Sequence, residues 1–309
     1  MQPDILALGE PMVEFNQTGR EGGRLYLQGF GGDTSNAAIA AARQGARAGY
    51  ISAVGDDAYG RMLRALWDRE GVDHADVRTD PEAFTAVYFV DHDAQGHHFS
   101  FLRNGSAASR MRPQDLPAQR IAAAKVLHLS GISAAISTSA CDTCFAAVDL
   151  ARAAGTQVSF DTNLRLKLWP VARARAVMRE LIGASDICLP SVEDVQAISG
   201  LQEPQALVDF CLQLGAKAVV LKMGAQGAIV ADGTQRWQLP PHPCRPVDAT
   251  GAGDTFGGAL LARLVAGDLL LDAARYAGVA AALSTEGYGA VEPIPRARQV
   301  RDALRPAAG

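Results

Sequence analysis

Short apolar runs alternate with longer amphipathic segments along most of the chain. The runs are Ile5–Leu8, Ala48–Val54, Val126–Leu129, Val158–Asp161, Ile187–Leu189 and Ala218–Lys222. Between them, apolar positions recur at helical spacing over Thr34–Gln44, Tyr59–Glu70, Ser139–Ala154, Val171–Ile182 and Gln205–Leu214. Continuous apolarity suits strands covered on both faces, and the amphipathic segments would supply the cover. Strand and helix in turn predict βαβ units around a parallel sheet. Gly45, Gly71, Gly155 and Gly215 directly follow four of the helical segments, where a left-handed C-cap favours a residue without Cβ. After Gly251 the pattern is helical through Leu283.

Two stretches depart from this rhythm. Residues 12–30 alternate apolar and polar around Gly19, Gly22 and Gly23, and residues 84–103 read as two strands about the polar turn Asp91–Gly96. Together they predict a small antiparallel sheet inserted into the α/β body, placed to act as a lid over a crevice.

Composition narrows the class. The chain has 309 residues, 48% hydrophobic and 20% charged, with a net charge of −4. Apolar content this ordinary argues against disorder, and so small a charge gives no electrostatic case for nucleic acid or an anionic membrane. No apolar run reaches the roughly 18 residues of a membrane span; Ala259–Leu271 is interrupted by Arg263 and Asp268. The start has no basic n-region, so no secretory leader is expected. Five scattered cysteines are expected as reduced thiols, and the protein as cytoplasmic. Cys141-x-x-Cys144 reads as packed thiols within a helix, His92, His97 and His98 as a solvated turn, and Trp67 and Trp237 as packing residues.

The sharpest chemical signal is Val247-Asp248-Ala249-Thr250-Gly251-Ala252-Gly253-Asp254-Thr255-Phe256. A glycine-rich turn runs into an apolar-periodic helix, so free amides and the positive end of the helix dipole would face a phosphate or a developing anion. Asp254 in the first turn could serve as a cap alone. A cap, however, needs neither Gly-Ala-Gly before it nor the second carboxylate of Asp248.

This segment resembles the C-terminal signature of the ribokinase-like (PfkB-type) carbohydrate kinases. Gly31-Gly32-Asp33-Thr34-Ser35-Asn36 is similar to their N-terminal signature, and the resemblance spans essentially the whole chain. It implies one domain over residues 1–309, with an α/β ribokinase-like fold. A central, mostly parallel sheet would be flanked by helices, with a small β-sheet lid from segments 12–30 and 84–103. It further implies ATP as donor and Mg²⁺ as metal. Asp254 would be the general base on a sugar hydroxyl, with Gly251, Ala252 and Gly253 as the anion hole. Some relatives bind a monovalent cation such as K⁺ near the positions of Asp248 and Thr250.

Within the family, five stretches most resemble 2-keto-3-deoxygluconate kinases: Gly9–Glu14, Phe30–Asn36, Arg103–Ala108, Leu127–Ser133 and Phe160–Trp169. The substrate site implied comprises Glu14, Gly32, Asp33, Asn36, Tyr88, Phe101, Arg103, Asn163, Arg165 and Asp254. Asn163 and Arg165 fall just past a predicted strand, where open α/β sheets bind ligands. Arg103 on the lid and Arg165 on the body are the candidate guanidinium forks for a substrate carboxylate. The nucleotide side is implied at Ser191, Lys222, Gly224, Gly227, Gly251, Gly253 and Ser284, the last beside the Gly287–Ala290 stretch. Two departures stand out. The Phe101-Leu102 pair offers no phenol hydroxyl, and the family's Asn-x-x-Glu motif is here Ser191-Val192-Glu193-Asp194, leaving Asp194 as the metal candidate.

The expectation is ATP-dependent phosphorylation of a small sugar acid, with no nucleic-acid or membrane partner and a homo-oligomer formed through the lid. Another sugar kinase of the same type, acting on fructose or ribose, and an inactive sugar-binding regulator on the same fold stay open.

Overall fold

The computed structural model describes residues 2–19, 23–93 and 96–305; Gly22 and residues 94 and 95 of the lid turn lie outside the described residues. In chain order the strands are β1 (Ile5–Leu8), β2 (Met12–Gln17), β3 (Tyr26–Gly31), β4 (Ala48–Gly55), β5 (Asp73–Asp80), β6 (Val87–Asp93), β7 (Gly96–Leu102), β8 (Val126–Ser130), β9 (Gln157–Asp161), β10 (Ile187–Leu189), β11 (Ala218–Lys222), β12 (Ala228–Asp232) and β13 (Arg236–Leu239). The helices are α1 (Asp33–Arg43), α2 (Ala58–Glu70), α3 (Ala118–Ala123), α4 (Gly131–Ala135), α5 (Thr138–Ala154), α6 (Val171–Ala184), α7 (Val192–Ser199), α8 (Pro204–Leu214), α9 (Ala252–Val265), α10 (Leu270–Ser284) and α11 (Ala297–Ala303).

Among the described residues, nine strands form one sheet in the order β13-β12-β11-β10-β9-β8-β1-β4-β5. From β5 through β11 every neighbouring pair is parallel. At the β13 end the pairs β11–β12 and β12–β13 are antiparallel, because the 3₁₀ turn Gly224–Gln226 between β11 and β12 is too short for a crossover. Both faces are covered. Along β1, Ile5 and Ala7 join the core under α1, α9 and α10, while Leu6 and Leu8 join the core under α5 to α8. The chain builds outward from β1 to β4 and β5, then returns to β8 and builds the other way. That reversal opens a crevice beyond the carboxyl ends of β1 and β8.

The second sheet has the order β3-β2-β6-β7. Its hairpins β2–β3 and β6–β7 are antiparallel as expected, but the central pair β2–β6 is parallel, with Val13 opposite Val87. The prediction of a wholly antiparallel lid is corrected. Two hairpins that both rise from the body lie with their outgoing strands side by side, and those strands run the same way.

Trp67 is fully buried, with its indole N–H donating to Ser35 Oγ at 3.0 Å. Cys141 and Cys144 lie buried in the first turns of α5, where burial raises both thiol pKa values. No helix among the described residues is long and apolar enough to cross a membrane.

Candidate active site

The crevice is built around the start of α9. Its N-cap is Gly251, at φ +75°. First-turn amides have no intrahelical acceptor, so those of Gly253 and Asp254 face outward with the positive dipole end. Of the three residues expected to form the anion hole, Ala252 is partly spent, since its amide donates to the Ala249 carbonyl at 3.2 Å. Lys222, at the end of β11, compensates in charge. A Cβ built on Gly253 would lie 3.5 Å from its Nζ, so the ammonium sits over the helix start. Asp161, at the end of β9, pairs with that ammonium.

Helices α1 and α9 cross closely, because Gly258 carries no Cβ to strike the Ala37 carbonyl. This approach lets Asn36 donate from Nδ2 to Asp254 Oδ2 at 2.8 Å, across 218 residues of sequence. Gly32 starts α1 at φ +103°, where a side chain would meet the Glu10 carbonyl. Asp33 follows in the first turn. It accepts the Thr34 amide at 2.9 Å on Oδ1 and Asn163 Nδ2 at 2.9 Å on Oδ2. Asn163 has φ +29°, a conformation that Asn tolerates better than most residues. Burial and the neighbouring Asp33 charge push the Asp254 carboxyl up to about 7, and burial raises Asp33 as well. A carboxyl raised in this direction is a better proton acceptor than an ordinary one.

The small sheet contributes Glu14 from β2 and Tyr88 from β6, the phenol O–H donating to Glu14 Oε2. Burial raises the Glu14 carboxyl. Phe101 stacks on Tyr88, with ring centroids 5.6 Å apart and 27° between the planes.

Arg103 requires a correction. It is not a free fork on the lid but a buried guanidinium at the lid's base, 2.5 Å from Glu10 Oε2. Glu10 also accepts from Ser106 Oγ at 2.5 Å. The chain enters the lid just after Glu10 and leaves it at Arg103, so this pair ties the two crossings together. Arg165 remains exposed on the loop between β9 and α6, within electrostatic reach of Asp33. Its Nη1 donates to the Leu164 carbonyl at 2.9 Å.

On the nucleotide side, Gly224 and Gly227 both take positive φ in the turn after β11. Ser191 caps α7, accepting the Asp194 amide at 3.3 Å. Ser284 is buried, and its hydroxyl donates to Ala281 O at 2.8 Å within α10. The structure therefore turns that hydroxyl onto its own helix and not toward a ligand. Asp194 accepts Thr162 Oγ1 on Oδ2 at 2.7 Å, leaving Oδ1 for water. Among the described residues no group of three His, Cys, Asp or Glu is set to hold a metal. Mg²⁺ carried by nucleotide phosphates needs only one or two carboxylates and keeps several waters, a role Asp194 fits. Asp248 accepts Thr250 N and Oγ1 on one oxygen, at 2.9 and 2.6 Å, and Gly289 N on the other, at 2.9 Å, drawing two loops together beside α9.

Glu10 and Asp161 lie within the family-like stretches Gly9–Glu14 and Phe160–Trp169, but the sequence alone gives neither of them a role. A lone carboxylate ending a buried apolar strand, as Asp161 does, was the available signal.

Known proteins place this geometry. Residues 4–297 match the model of the pfkB family of carbohydrate kinases. A 2-dehydro-3-deoxygluconokinase of Thermoproteus tenax is 32% identical over 315 residues, covering 97% of this chain and 94% of the relative. Fructokinase-1 of Zea mays is 31% identical over 313 residues, covering 96% of each. Among solved structures, a ribokinase II from E. coli in complex with ATP and Mg²⁺ has a TM-score of 0.89 at 26% identity, over 98% of this chain and 99% of that one. A Vibrio cholerae fructokinase double mutant with fructose, ADP and potassium bound has a TM-score of 0.89 at 28% identity, over 98% and 99%.

Proposed function

Because this chain belongs to the pfkB family of carbohydrate kinases and has the ribokinase-like fold, we propose that it phosphorylates the terminal hydroxyl of 2-keto-3-deoxygluconate. ATP is the donor, and the product is the 6-phospho ester. The observation that carries this reading is the polarity of the crevice. One end holds the base Asp254, the α9 amides and Lys222; the loop beyond Asn163 presents the exposed guanidinium of Arg165. A six-carbon acid with its hydroxyl at one end and its carboxylate at the other matches that polarity. Charge-assisted partners are the strong ones for a carboxylate.

In this reading Asp254 takes the hydroxyl proton as the oxygen attacks, while Asn36 holds its carboxylate in line. The amides of Gly251 and Gly253, with Lys222, stabilise charge on the transferring phosphoryl group. Mg²⁺ bound with the nucleotide would neutralise phosphate charge, with Asp194 ordering its water. Gly224–Gly227 would approach the nucleotide, and Ser284 would support its base pocket through packing. A monovalent cation such as potassium would be held beside Asp248. Residues 1–309 act as one kinase domain whose segments 12–30 and 84–103 close over the sugar and exclude water. Leu27, Phe99 and Leu102 are exposed on that small sheet, which suits cover by a second copy of the chain. We place the enzyme in the cytoplasm, with its ATP.

Fructose phosphorylation is the second reading. It is favoured by the near-equal similarity to plant fructokinases and by Phe101, which brings no hydroxyl to an acid substrate. A coupled ADP-release assay across keto acids and hexoses separates the two. The highest kcat/KM is expected for 2-keto-3-deoxygluconate, and a clear preference for fructose would overturn the proposal.

A further inference from the structure

We infer that Lys167 is a specificity-determining residue that binds the carboxylate of an acidic substrate, taking over the charge that Arg103 spends on Glu10; this rests on the sugar-acid reading above. A crevice of about 450 Å³ lies between the lid's exit and the loop joining β9 to α6, and its walls include Phe84, Phe101, Arg103, Asn104 and Lys167. Two of those walls carry the charge. The Arg103 guanidinium already faces the buried Glu10 carboxylate, so the pair adds no net charge to the crevice. Lys167 is exposed and makes no hydrogen bond or ion pair among the described residues. It stands two positions beyond Arg165, which likewise has no carboxylate bound to it there.

The chemistry of the walls fits one class of ligand. Phe84 and Phe101 each keep 43% of their surface exposed, which gives an apolar face for the carbon chain and a lower local dielectric for the charge. Phe101 supplies no donor, so a polar head in this crevice must find its donors elsewhere. The ammonium of Lys167 offers three. Phe101 of this crevice stacks on Tyr88, which donates to Glu14, and the charges of Asp248 and Asp254 act on Tyr88, so the Tyr88 side of Phe101 is acidic. A sugar carboxylate is therefore disfavoured beside those carboxylates and attracted toward Lys167, while the α9 amides and Lys222 face the phosphoryl group. The same field disfavours a second, reversed pose, which would bring the carboxylate to Asp254 and unfavourable like charge.

The test is Lys167→Gln and Lys167→Arg in the full chain, with KM and kcat measured for 2-keto-3-deoxygluconate and fructose at fixed saturating MgATP. An exposed charge-assisted contact is expected to change KM for the acid by about 10-fold in Lys167→Gln, leaving kcat within about 2-fold. KM for fructose should stay unchanged, and Lys167→Arg should restore the acid. Because the side chain is exposed, neither variant threatens folding. If the parent prefers the keto acid and Lys167→Gln leaves its KM unchanged, Lys167 is a solvated surface residue and the inference fails while the sugar-acid reading stands. Equal losses on acid and fructose also overturn it, since a carboxylate contact cannot serve a neutral sugar. A parent that prefers fructose overturns the reading itself, and the inference with it.

Discussion

Replacing Asp254 by Asn probes the assigned base with little structural disturbance. The amide keeps an oxygen that can accept from Asn36 Nδ2, so the 2.8 Å contact across the α1–α9 crossing survives. What is lost is a proton acceptor that burial and Asp33 have brought up to about 7. General-base assistance is commonly worth roughly 10²–10⁴-fold in rate, equivalent to about 2.7–5.4 kcal/mol of barrier. The fall should appear in kcat, while KM for MgATP and sugar stays near the parent values, because the backbone amides at the start of α9 and the lid are unchanged. Stability should move the other way. The folded-state pKa lies above the usual value of 3.8, so the native protein holds that proton more tightly than the unfolded chain. The ionised carboxylate therefore costs stability progressively as pH rises from about 4 to 7, and fully above that. Asp254→Asn should accordingly melt a few degrees higher than the parent at pH 8, with the gain vanishing near pH 4. Steady-state kinetics and thermal melts at both pH values make the measurement. Turnover within a few-fold of the parent would refute the base assignment, and a lower melting temperature at pH 8 would refute the electrostatic account of the site.

Three further outcomes are expected. Asn36→Leu removes the hydrogen bond that favours the Asp254 anion, so the acid limb of the kcat/KM–pH profile should move to higher pH by about one unit. Arg103→Ala leaves the buried Glu10 carboxylate uncompensated and should cost about 3–5 kcal/mol in denaturant unfolding, with much of it recovered by adding Glu10→Gln. Amide exchange over β2 and β6 should slow on adding sugar and nucleotide together; unchanged exchange at saturation would count against closure of the small sheet.

The βαβ body was legible because each central strand is buried on both faces and therefore apolar throughout, as in Ile5–Leu8 and Val126–Leu129. Strand β5 was not. At the sheet edge only Val77 of Asp73–Asp80 is buried, so no apolar run marks it. The parallel pairing of β2 with β6 was equally hidden, because alternation reports a strand's faces but not its neighbour's direction. In the site, the glycine turn before Asp254 announced itself locally through Gly251 and Gly253. The partners that tune Asp254 did not, since Asn36 lies 218 residues away and meets it only because Gly258 lets two helices touch. Arg103 shows the converse limit. Its motif marked it as functional, but the Glu10 carboxylate that absorbs its charge is visible only once the two lid crossings are brought together.

The central claim is that cations on the body select a substrate carboxylate, and Arg165→Ala assayed on both sugars tests it most directly. Hydrogen bonds to charged groups contribute roughly 1.5–3 kcal/mol, so kcat/KM for 2-keto-3-deoxygluconate should fall by about 10–150-fold. Activity on fructose, which has no carboxylate, should change little. The ratio of the two is decisive, because damage to folding or to nucleotide binding lowers both together. A selective loss on the keto acid is the predicted result, and an equal loss on keto acid and fructose would contradict the account.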